Sequence, residues 1–168
     1  MRSGNTPLTG PGAHRQPQRQ RITLGQYVRR RNGVPLGSSG SLRYMLHRSL
    51  GAGSFAGFWQ HWNPVWGYGL ARYVYSPLRR VLPQTAALLS TFMVCGALHD
   101  LAILIVRGFL TFLFVPWFFL LGVVMILGDT AAMNFSSRPW LVRAFVNFTY
   151  VSACLAVTLL ARRFLGIS

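Results

Sequence analysis

Hydrophobic and polar positions divide this chain at about residue 84. Beyond it, three apolar runs near 83–106, 109–127 and 142–161 are each close to the roughly 20 residues a helix needs to cross a bilayer. Only Arg107-Gly108 separates the first two, which calls for a tight hairpin or a re-entrant turn, and Pro116 marks a kink point in the second. Ser137 and Pro139 read as the cap of the third helix.

Upstream the pattern changes. Residues 41–50 place Leu42, Met45, Leu46 and Ser49 at helical spacing with Arg43, His47 and Arg48 opposite, which predicts a short helix lying on a membrane surface. Over 54–78 the aromatic positions Phe55, Phe58, Trp59, Trp62, Trp66 and Tyr73 recur at helical steps and suit the headgroup interface. Asn63-Pro64 interrupts that segment as an N-cap followed by proline at the first helical position, so it divides into two short helices. Residues 1–40 are rich in Gly, Pro, Ser, Gln and Arg and lack the apolar surface to offset chain entropy. They read as a disordered basic arm before a single membrane domain at 41–168. The predicted class is all-α: a multi-pass integral membrane protein with about three transmembrane helices plus interfacial amphipathic helices.

Charge sharpens the topology. The net charge of +15 comes from 17 arginines, with no lysine, against two acids, Asp100 and Asp129. Nine of the arginines precede position 49, which puts the N-terminus in the cytoplasm by the positive-inside rule and suits an anionic leaflet. Lipid therefore ranks above nucleic acid as the partner of the arm. Cys95 and Cys154 both lie within apolar runs, with no second ligand at zinc spacing, so neither a metal nor another cofactor is expected.

The chemistry gathers in the first apolar run, where His99 and Asp100 interrupt an otherwise apolar sequence. An ionisable residue inside a span is expensive, and by default it marks a functional site. His99 shares a helical face with Thr91, Cys95 and Ala102, and a neutral imidazole there can accept a proton. A histidine merely satisfied by a neighbouring helix is the competing structural reading. Asp100 points about 100° away and is expected to pair with Arg72 or Arg107.

Three elements occur in order: Phe58-Trp59-x-x-Trp62-Asn63, Arg72-Tyr73-x-Tyr75-x-Pro77-Leu78, and Thr91-Phe92-x-Val94-x-Gly96-x-Leu98-His99-Asp100-Leu101. Over about residues 54–106 the chain thereby resembles the membrane-bound O-acyltransferase (MBOAT) superfamily. The acid after the histidine is nearest to the sterol, diacylglycerol and wax-ester synthases. The resemblance carries over two positions, His99 as the catalytic histidine and Asn63 as the second polar residue. Trp59, Trp62, Tyr73 and Asp100, within the same motifs, are the expected substrate contacts. It implies acyl transfer from a thioester such as acyl-CoA to a hydroxyl of a lipid or alcohol, with no cofactor besides that co-substrate. Family members are much longer, so the resemblance is to a short or degenerate member, to one half of a split enzyme or C-terminal-core fragment, or to a homo-oligomer or partner-subunit assembly that completes the pocket. The alternative is a non-catalytic subunit derived from the family, serving assembly or lipid binding in a larger complex.

Overall fold

The computed structural model describes residues 22–166, and in them every regular element is a helix. Four short helices come first: α1 (Leu24–Asn32), α2 (Ser41–Leu50), α3 (Phe55–His61) and α4 (Pro64–Leu70). The chain continues through a π-helical turn at Ala71–Tyr75 and a single turn, α5 (Ser76–Leu78). Three long helices follow: α6 (Gln84–Arg107), α7 (Phe114–Thr130) and α8 (Trp140–Phe164).

Helix α1 corrects the expectation of disorder for the part of the arm that is described; residues 1–21 lie outside the described residues. Thr23 and Gln26 form a reciprocal capping box, and Gly33 closes the helix in the left-handed conformation. Val28 is buried, and Asn32 donates from Nδ2 to the carbonyl and hydroxyl of Ser41 at 3.1 and 2.8 Å. Composition averages over a segment, whereas these few contacts decide its state.

Helices α6 and α8 are long and apolar enough to cross a membrane, about 36 and 37 Å at 1.5 Å per residue. Most of their apolar length is exposed. Ile105, Val106, Leu141 and Phe145 all turn outward, the opposite of a soluble core helix. The cap expected from Ser137 is not made: Pro139 precedes α8 and no side chain caps it.

Helix α7 begins five residues later than the 109–127 run suggests. Gly108 ends α6 in the left-handed conformation, and 109–113 stay non-helical although they are apolar. The reason is Asp100. Its carboxylate is 2% exposed and accepts from the backbone N–H groups of Leu113, Phe114 and Val115 at 3.0–3.2 Å and from the Thr111 hydroxyl at 2.9 Å. It therefore caps a helix other than its own, satisfying amides that would otherwise be orphaned. The expected pairing of Asp100 with Arg72 or Arg107 does not form, because four donors of the 111–115 segment already surround it. Arg162 of α8 donates to the Thr111 carbonyl and ties the third helix to the same turn.

At the other end, α8 is stapled to the last turn of α2 and the residues just after it. Trp140 Nε1 donates to the His47 carbonyl at 3.0 Å, and the two rings stack with centroids 5.1 Å apart. Asn147, fully buried, donates from Nδ2 to the carbonyls of Leu50 and Ala52 at 2.8 and 2.9 Å. Asn147→Leu keeps the bulk and leaves both carbonyls without these donors. It should destabilise the protein by about 1–3 kcal/mol, seen as a lower thermal unfolding midpoint in detergent micelles.

Candidate active site

The short helices carry the aromatic residues onto α6 and α7. Phe55, Phe58 and Trp59 form one face of α3, with Phe55 and Phe58 buried. Trp59 meets Phe92 of α6 edge-on at 5.1 Å and Phe118 of α7 at 6.2 Å. Asn63 then breaks the path. It sits at φ 38°, a left-handed conformation that asparagine tolerates, and its Oδ1 accepts from Trp66 N at 3.3 Å to start α4 with Pro64 at the first helical position.

Between these elements and α6 lies a cavity of about 520 Å3. Trp59, Trp62, Asn63 and His99 all line it, so the two residues expected to carry chemistry share one chamber with two of the expected substrate contacts. Tyr73 and Asp100 do not. Tyr73 is 72% exposed beside Arg72, whose guanidinium lies 5.8 Å from its ring, and Asp100 faces α7 instead. The alternation of a helix explains the second case, since adjacent residues lie about 100° apart. A second cavity of about 350 Å3 shares Ala56 with the first and contains Asp129.

The His99 ring is held on several sides. Nδ1 lies 2.7 Å from the Cys95 carbonyl, one turn earlier. A carbonyl only accepts, so Nδ1 carries the hydrogen, and in the neutral ring Nε2 carries the lone pair. The ring faces Phe114 and Phe118 of α7 with centroids 5.3 and 5.1 Å away, and Trp66 meets it edge-on at 6.1 Å. Among the described residues, no protein group hydrogen-bonds Nε2.

Trp66 is the contact that site reasoning from the sequence left out. Its Nε1 donates to Cys95 Sγ at 3.1 Å, next to the carbonyl that orients His99, and it also lines the cavity. Its membership of the aromatic series pointed to α4, but only the fold brings that face to His99. Thr91, Phe92 and Cys95, which share the His99 face, line the same cavity.

Outward apolar helices, beside an open and largely apolar cavity that His99 and Asn63 both line, define a membrane-embedded helical protein with a candidate site on one chamber. The family model of membrane-bound O-acyltransferases matches residues 45–162, and the chain belongs to that family. No curated protein and no solved structure matches the chain.

Proposed function

We propose that this protein transfers an acyl group from a thioester such as acyl-CoA to the hydroxyl of a lipid or small alcohol, with His99 as general base. The observation that carries this reading is one shared chamber: His99 and Asn63 both line it, and Nδ1 lies 2.7 Å from the Cys95 carbonyl, which leaves the lone pair of a neutral ring on Nε2. In this scheme Nε2 takes the proton of the acceptor hydroxyl as its oxygen bonds to the thioester carbonyl carbon. The tetrahedral adduct then collapses, the carbon–sulfur bond breaks, and the departing thiolate takes the proton from the imidazolium. The Asn63 side-chain NH2, which donates no hydrogen bond among the described residues, stabilises the oxyanion of the adduct. Trp59 and Trp62 supply the apolar wall for an acyl chain. No cofactor enters this scheme, and the thioester is a co-substrate.

The acid directly after His99 makes sterols, diacylglycerols and fatty alcohols the acceptors to try first. We also read α6, α7 and α8 as three spans, with the arginine-rich N-terminal side in the cytoplasm. Helix α7 covers about 26 Å, and the apolar residues 109–113 complete its crossing. A second copy or a partner membrane subunit closes the remaining side of the chamber.

The direct test is transfer of labelled acyl groups from acyl-CoA into lipid by membranes containing the protein, against matched membranes without it. Label should appear in ester only with the protein present. No transfer across several donor lengths and all three acceptor classes would leave the non-catalytic subunit as the reading.

Asn63→Asp separates two roles of one side chain. Aspartate caps a helix as well as asparagine does, so the thermal midpoint should hold. The donating amide is lost, however, and transfer should fall about 100-fold. Unchanged transfer would remove Asn63 from the reaction.

A further inference from the structure

Asp100 is absent from the cavity, yet its contacts lead to the reacting ring within two steps. Its carboxylate takes the amides of Leu113, Phe114 and Val115 together with the Thr111 hydroxyl. Phe114, the residue bonded to both carboxylate oxygens, lays its ring on His99 at 5.3 Å with the planes 28° apart. One turn before Asp100, Gly96 brings the two backbones together: a Cβ there would stand 2.5 Å from the Phe114 carbonyl oxygen. Glycine thus admits the first turn of α7, and the carboxylate locks it. Phe118, one turn further along α7, covers His99 at 5.1 Å and is set by the same docking.

We infer that Asp100 is a positioning residue for His99, acting through the backbone of Phe114 and not by contact with substrate. This rests on His99 being the base of the proposed reaction. Asp100 and His99 adjoin in sequence but diverge around α6, so the acid cannot orient the imidazole directly as in a carboxylate–histidine pair. It does so from behind, by fixing the aromatic wall that keeps the ring on the Cys95 carbonyl. The bonds of the cap run from one side chain to the turn that carries Phe114, so a change of that carboxylate acts directly on the ring's neighbour.

The experiment uses the full chain in detergent micelles, with 15N-labelled histidine read by NMR for the ring tautomer and acyl transfer read in parallel. The wild type should show His99 as a single Nδ1–H tautomer. Asp100→Asn replaces one acceptor oxygen with a donating amide that opposes the α7 amides, so His99 should populate both tautomers. The kcat of this variant should fall about tenfold while KM stays within twofold, because Trp59, Trp62 and Asn63, on the opposite elements of the cavity, are untouched. Phe114→Leu leaves the cap and removes the ring, and should reproduce both changes; the double variant should be no worse than either single one. Thr111→Val removes a single donor and should move kcat in the same direction by two- to threefold, which keeps the test decisive should Asp100→Asn fail to fold. A wild-type tautomer and kcat in Asp100→Asn or Thr111→Val, or additive losses in the double variant, would overturn the inference. Absence of transfer in the wild type would remove the acyltransferase reading, and the tautomer comparison alone would then decide whether Asp100 sets the ring.

Discussion

His99→Asn should abolish acyl transfer while leaving the fold in place. The asparagine amide nitrogen reaches about as far from the backbone as Nδ1 does, so it can still donate to the Cys95 carbonyl that now holds the ring at 2.7 Å. Nothing replaces Nε2. A positioned general base contributes about 10²–10⁴-fold, and in an apolar chamber no bulk water stands in for it, so activity should drop to the upper end of that range or below detection. His99→Ala, by comparison, also empties the space between Phe114, Phe118 and Trp66 and would mix lost chemistry with lost packing. The assay is labelled acyl transfer at matched protein level, with the thermal midpoint measured alongside. Full activity in a folded His99→Asn protein would refute the general-base role outright.

Two glycine-to-alanine substitutions on neighbouring helices should have opposite effects. At Gly96 the added Cβ meets the backbone of α7 on three atoms, Phe114 O at 2.5 Å and Phe114 C and Val115 Cα at 2.8 Å. Backbone cannot rotate aside as a side chain can, so α7 must move off α6 and strain the Asp100 cap. Overpacking of this kind costs about 1–3 kcal/mol, and the broken cap adds to it, so the unfolding midpoint should fall on the order of 10 °C. At Gly128, near the end of α7, no atom apart from its chain neighbours and the helix's own backbone lies within 4 Å of the added Cβ. Alanine there should leave stability unchanged or raise it by about 0.5–1 kcal/mol through helix propensity. Paired melting curves in one detergent check both signs.

Both substitutions lie in helices that the sequence already announced. The apolar runs that became α6 and α8 were legible because a membrane helix must satisfy its backbone internally and face lipid with side chains, leaving long uninterrupted patterns. Asn63-Pro64 was legible as a cap because capping chemistry is local. The start of α7 was not, since Phe109 to Leu113 are as apolar as the helix they precede. What ends the non-helical stretch is a carboxylate on another element, 13 residues away from Leu113. Helix α1 escaped for the converse reason: its capping box is local but sits inside a segment whose composition argues against order. In the candidate site, His99 and Asn63 stood out as polar residues among apolar and aromatic neighbours. Trp66 did not, because an aromatic residue in an aromatic series draws no notice until the fold sets it against Cys95.

The Asp100 cap has a consequence for how the chain is made. When α6 first enters the membrane, its carboxylate has no partners, and an aspartate past the middle of the helix weighs against insertion by up to about 2.5–3.5 kcal/mol, the translocon-scale value for a helix centre. The four donors that satisfy it arrive only with residues 111–115, emerging from the ribosome a dozen residues later. Those donors have the same need in reverse, because unpaired amides at the head of α7 are equally unwelcome in hydrocarbon. On the proposed reading of α6 and α7 as spans, neither helix is a good solo passenger, and biogenesis favours delivering them as one hairpin in which the acid and the amides neutralise each other's penalty.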